Sequence, residues 1–158
     1  MSYDIFNPKV CFVNELKSSW AKSIKTSENP NKLPISIRGA ETFLDLSHNG
    51  DGSWCAGVIA LCRDWSEMDV GDFVNLNFSF YTEEDYSMKV SLVDKDEGES
   101  NIIDVNRMGF SKGDYNEVMV PLKKLSRDNS VFDARQARLL KFVLGEGSSV
   151  LVSRVFLD

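Results

Sequence analysis

Val74-Asn75-Leu76-Asn77-Phe78-Ser79-Phe80-Tyr81 decides the class of fold. Apolar residues at 74, 76, 78 and 80 alternate with Asn75, Asn77, Ser79 and Tyr81, the period of two that sends successive side chains to opposite faces of a strand. The apolar set is expected to claim a core and the polar set to form one row on an outer face. Met88, Val90 and Leu92 continue the apolar face with Lys89 and Ser91 opposite, so these two are expected in the adjacent row. Outward from there, strand-like runs occupy 10–14, 21–26, 35–39, 42–46, 54–62, 102–105, 117–121, 139–144 and 150–156. The last run is apolar on both faces at its start, as a central strand would be. Clusters such as Asn49-Gly50-Asp51-Gly52, Glu97-Gly98-Glu99-Ser100 and Lys112-Gly113-Asp114 supply the turns. Helical turns are expected only around 64–68 and 133–137. Short strands at this spacing imply an all-β antiparallel sandwich rather than βαβ units.

At 158 residues the chain suits one sandwich domain over 1–158, large enough to bury roughly 70% of its unfolded surface. Its 42% hydrophobic and 27% charged residues are ordinary globular values. A net charge of −6 offers no general attraction to a polyphosphate, so no nucleic-acid partner is expected. No apolar run approaches the roughly 20 residues that span a bilayer as a helix, and no membrane partner is expected either. The opening residues Met1 to Phe6 carry neither a basic segment nor an apolar one, so no signal peptide is visible. Cys11, Cys55 and Cys62 are an odd number, with the last two inside one apolar run, and read as small core hydrophobes. With a single histidine, His48, little remains for a zinc site or a serine-type triad.

Carboxylates gather at 83–85, 94–97 and 45–51, all turn-like stretches where solvated loops are the ordinary reading. A glycosidase pair such as Asp51 and Asp104 is the enzymatic alternative. Oxygen-rich loops leave a structural calcium open, although none has EF-hand spacing; no cofactor is expected. Tryptophans 20, 54 and 65 are more informative, because flat rings stack on the apolar faces of sugars. Trp65 reads as an anchor at the sandwich edge, and Trp20 as the best candidate for exposure.

Asp51-Gly52-Ser53-Trp54, then Arg63-Asp64-Trp65-Ser66, the alternating strand, and Glu117-Val118-Met119-Val120-Pro121-Leu122 resemble family 11 carbohydrate-binding modules and their jelly-roll relatives. The resemblance implies a galactose-binding-domain-like jelly roll without catalysis, binding a β-glucan or related polysaccharide across a concave sheet. It further implies a module appended to a catalytic domain in a larger secreted protein; a cytoplasmic location is the alternative. Carried over position by position, the family's aspartate is Asp51, and Arg127 and Asp128 echo an Arg and an Asp in a late loop. On the penultimate strand the family's Asp, His and Tyr become Arg138, Lys141 and Leu144. Ser53 and Ser23 replace tyrosines, so stacking platforms are lost and bases gained. Such a cleft would favour an anionic glycan, unless Tyr81, Tyr86 or Trp54 supplies a new platform. The calcium ligands of such modules are also replaced, by Ser153, Phe12 and Val13, leaving Glu15.

The expected ligand site therefore comprises Asp51, Trp54, Asn75, Asn77, Tyr81, Lys89, Arg127, Arg138 and Lys141. A protein-interaction module that kept the sandwich and lost the sugar site is the other reading.

Overall fold

The structure, a computed structural model, describes residues 3–5, 13–15, 23–27, 43–47, 54–62, 66–145 and 147–158. These hold eleven strands: β1 (Tyr3–Asp4), β2 (Val13–Glu15), β3 (Ser23–Ser27), β4 (Phe43–Ser47), β5 (Trp54–Ala60), β6 (Asn75–Tyr81), β7 (Met88–Asp94), β8 (Ile103–Asp104), β9 (Tyr115–Pro121), β10 (Ala137–Gly145) and β11 (Ser149–Leu157). One sheet, A, runs β3-β4-β11-β6-β9 with β1 also paired to β11; the other, B, runs β2-β5-β10-β7-β8. Every pairing among them is antiparallel. The fold is the antiparallel β-sandwich expected from the alternation and the jelly roll that the family resemblance implies.

The two inner faces meet through aromatic and aliphatic side chains. Phe78 of β6 and Phe142 of β10 touch edge to face at 5.6 Å across the sheets, a geometry that adds about 0.5–1.5 kcal/mol to burial alone. Leu76, Phe80, Met88, Leu92 and Leu140 are fully buried around them. Tyr86 packs on Phe80 at 5.3 Å, so it borders the core rather than offering a free platform.

Several elements differ from the sequence reading for local reasons. Val74 lies just outside β6 and is 68% exposed, so it does not join the core row. The stretch after β8 turns into a 3-10 helix, Val105–Met108, because the Asp104 carboxylate accepts the Asn106 backbone N–H. A short helix α1 (Leu122–Ser126) follows the edge strand β9, after the Leu122 N–H makes a last ladder bond to the Val74 carbonyl at 2.8 Å; the missing N–H of Pro121 falls on the free edge. A further 3-10 helix, Val70–Asp72, precedes β6. Of the expected helical turns, Ala134–Gln136 is a 3-10 helix, whereas Met68 forms a bridge to Ala137. The expected run 35–39 lies outside the described residues, as do Trp20 and Trp65.

Candidate functional site: two outer faces

The largest correction concerns the expected site. β6 belongs to sheet A and β7 to sheet B. Asn75, Asn77 and Tyr81 therefore stand on one side of the sandwich, and Lys89, Lys141 and Arg138 on the other sheet. No single ligand touches both sets. Asp51 lies outside the described residues; Trp54 holds a place in β5 opposite Gly145 of β10.

On sheet B, the register aligns Asn14, Val58, Lys141 and Ser91 across four strands. Lys89 pairs with Val143 on one side and Asp104 on the other. The Lys141 ammonium lies 3.0 Å from Glu99 Oε2, while Ser91 Oγ donates to Glu99 Oε1 at 3.2 Å. Glu99 sits there because the chain after β7 folds back, bridging Glu99 to Val93. Asn129 then donates its amide to the Glu99 carbonyl at 3.1 Å, and Asn101 donates to the Arg127 carbonyl at 2.7 Å. The loop after α1, which bears the exposed Arg127, is thus fixed beside the Lys141–Glu99 pair. Arg138 stands at the register shift between Ala137 and Leu139, and its carbonyl accepts the Leu61 N–H at 2.9 Å. Leu144 is 2% exposed and belongs to the core, while Val143 is half-buried on the face of Lys141. The Lys141–Glu99 ion pair gives this face a hydrogen-bond donor and acceptor side by side.

Beneath this face, the buried Asp94 carboxylate accepts three backbone N–H groups, from Asp96, Gly98 and Asp133. Burial works to raise its pKa, but these hydrogen bonds prevail and hold it below the usual carboxylate value. Asp104, one member of the alternative glycosidase pair, caps the 3-10 helix and lies 3.6 Å from Arg107.

On sheet A, Phe156, Asn77 and Met119 align across β11, β6 and β9, followed by Ser153, Ser79 and Glu117. The polar row expected on the outer face is not open along its length. Ser79 is 4% and Tyr81 6% exposed, and the Tyr81 hydroxyl donates to Glu83 at 3.2 Å. Burial, then the hydrogen bond and charge of Glu83, raise the Tyr81 pKa. Tyr81 therefore offers no stacking surface. Instead, β11 carries an extra residue between Ser153 and Phe156 relative to β6, a bulge at which Arg154 adopts φ 51°. The Arg154 guanidinium lies 5.6 Å from the Tyr115 ring centre, and the Tyr115 hydroxyl pairs with Ser153 Oγ at 2.7 Å. A cavity of about 460 Å³ opens there between Asn77, Glu117, Met119, Arg154 and Phe156. The buried Asn77 side-chain nitrogen has no hydrogen-bond partner among the described residues, an arrangement costing on the order of 1–3 kcal/mol. Glu99, Glu117, Arg154 and Phe156 were absent from the sequence-based site. Arg154 left no readable signal, because Leu151 and Phe156 are also apolar and mask the two-three-two step of the buried Val150, Val152, Val155 and Leu157.

A second cavity, about 510 Å³, lies near Tyr86, Asn106, Phe110 and the Lys112–Asp85 ion pair. No cluster of three or more His, Cys, Asp or Glu side chains suited to a metal occurs among the described residues.

The fold superposes on solved structures. A family 30 carbohydrate-binding module of the cellulosomal cellulase Cel9D-Cel44B of Clostridium thermocellum matches with a TM-score of 0.71, covering 100% of this chain and 97% of that one at 16% identity. The fold is that of carbohydrate-binding modules. A family 11 module from Clostridium thermocellum, in complex with a β-1,3-1,4-mixed-linked tetrasaccharide, gives a TM-score of 0.60 over 93% of this chain and 86% of that one, at 11% identity. An exo-β-agarase matches with a TM-score of 0.60 at 14% identity over 99% of this chain, which spans 24% of the agarase. No protein-family model matches the sequence, nor does any curated protein.

Proposed function

We propose that the chain is a non-catalytic polysaccharide-binding module that takes a neutral or weakly charged glycan across the outer face of sheet B. The observation that carries this reading is the Lys141–Glu99–Ser91 cluster at the centre of that face, 3.0 and 3.2 Å between partners. An ammonium and a carboxylate side by side meet the donors and acceptors of vicinal hydroxyls, while Glu99 repels an anionic sugar that Lys141 alone would attract. Lys89 and the loop bearing Arg127 extend the polar surface, and Arg138 and Trp54 stand on the flanking strand positions. The shared fold with modules that bind mixed-linked glucan or belong to a cellulase supports a β-glucan or related polysaccharide as ligand. A secreted, polysaccharide-degrading parent protein, with this module tethering its catalytic domain to substrate, accords with the same comparison.

Affinity electrophoresis against mixed-linked β-glucan, xyloglucan and agarose tests the reading. Retardation by at least one neutral polysaccharide, lost in the double variant Lys141→Met with Glu99→Gln, is the expected result. Release of reducing ends would overturn the non-catalytic assignment. Silence on every glycan, with an unchanged melting curve, would favour a protein-interaction module instead.

A further inference from the structure

We propose that the bulge on sheet A builds a second saccharide site, independent of the face of sheet B, in the cavity bounded by Asn77, Glu117, Met119, Arg154 and Phe156. Its volume of about 460 Å³ falls within the roughly 300–1,000 Å³ of small-molecule sites and holds one or two sugar rings. The chemistry of the walls selects the ligand. Asn77 lines the cavity, and its buried side-chain nitrogen has no hydrogen-bond partner among the described residues. Arg154 adds further donors and Glu117 only acceptors, so the occupant must both donate and accept. Met119, 58% exposed, and the half-buried Phe156 ring supply apolar surface for the C–H face of a ring. Opposite charges on one small cavity disfavour a simple anion or cation. A neutral ring carrying several hydroxyls satisfies every wall at once.

The backbone is shaped for this purpose. Arg154 is a non-glycine residue in the left-handed region, φ 51°, at the bulge; it lines the cavity and its guanidinium lies 5.6 Å from the Tyr115 ring centre. Strain of that kind persists where the surrounding structure fixes it: Ser153 is tied to Tyr115 at 2.7 Å, and Val155 is fully buried. Glycine adopts the same backbone angle freely, so Arg154→Gly removes the guanidinium without disturbing the bulge.

Residue-resolved NMR titration of the intact chain tests the proposal, with β-1,3-1,4-mixed-linked tetrasaccharide and β-1,4-galactotriose as probes. At least one probe is expected to shift amides of β6, β9 and β11 around the bulge. Arg154→Gly and Asn77→Ala should each weaken that set of shifts at least tenfold, with the Arg154→Gly melting temperature at or above that of the parent. Shifts confined to β5, β7 and β10 would overturn the second site while leaving the sheet B reading intact. Undiminished sheet A shifts in Arg154→Gly would overturn it as well, as would displacement of the sugar by a zwitterionic dipeptide at lower concentration.

Discussion

The carboxylate of Asp94 accepts the backbone N–H of Asp133 at 2.9 Å, joining the end of β7 to the loop that leads into β10. Its other oxygen accepts from Asp96 and Gly98 at 2.9 and 2.8 Å. One buried charge thereby fixes the turn that delivers Glu99 to Lys141. Asp94→Ala strands three donors, and a loss on the order of 3 kcal/mol is expected in urea unfolding.

The same carboxylate makes stability depend on acid. Its folded pKa is lowered by the three hydrogen bonds against the opposing effect of burial. Its contribution is fully present above the unfolded value, about 3.9, and is lost as pH falls through the lower folded value. Asp94→Asn should flatten the melting temperature between pH 5 and 2 relative to the parent. An unchanged slope would assign the acid sensitivity to other carboxylates.

Gly98 admits no side chain. A Cβ there would lie 2.4 Å from the Val131 carbonyl oxygen and 2.5 Å from an Asp94 oxygen. Gly98→Ala should therefore destabilise by roughly 1–3 kcal/mol, as overpacking does, and lower glycan affinity by displacing Glu99. A neutral result would show that the turn relaxes freely.

Tyr81 serves stability rather than stacking. With the ring 6% exposed, Tyr81→Ala is expected to cost about 3–5 kcal/mol, as for other large buried aromatics. Tyr81→Phe should melt near the parent, because only the partly buried bond to Glu83 is lost. Glycan affinity of Tyr81→Phe should be unchanged.

Lys141→Met alone leaves Glu99 as an unbalanced charge on the proposed binding face. Its affinity for a neutral glucan should fall about tenfold, or about 1.4 kcal/mol. Stability should change by less than about 1 kcal/mol, since both partners are partly exposed. Calorimetric titration and chemical unfolding of one sample separate the two effects.

The alternation at residues 75–81 was enough for a half-buried strand, and the absence of long helical patterns elsewhere left a second sheet as the partner for its apolar face. The centrality of β11 was legible for the same reason: its start is apolar on both sides. Helix α1 and the turn after β8 were harder. They rest on local hydrogen bonds, such as Asp104 to Asn106, that compete with strand pairing over two or three residues.

What the sequence by itself determined is the inward face of the regular strands, such as Leu76, Phe78 and Phe80 of β6, since that follows from backbone geometry along each strand. It could not determine which strands share a sheet. β6 and β7 are neighbours in the chain and present similar patterns, yet the turn between them crosses from one sheet to the other. Local alternation is identical in both cases, and only long-range pairing distinguishes them. That pairing set Lys141 against Glu99, 42 residues away, and divided one expected site into two faces. It also decided the bulge at Arg154, where the register of β11 against β6 forces one extra residue outward and opens the cavity beside Asn77.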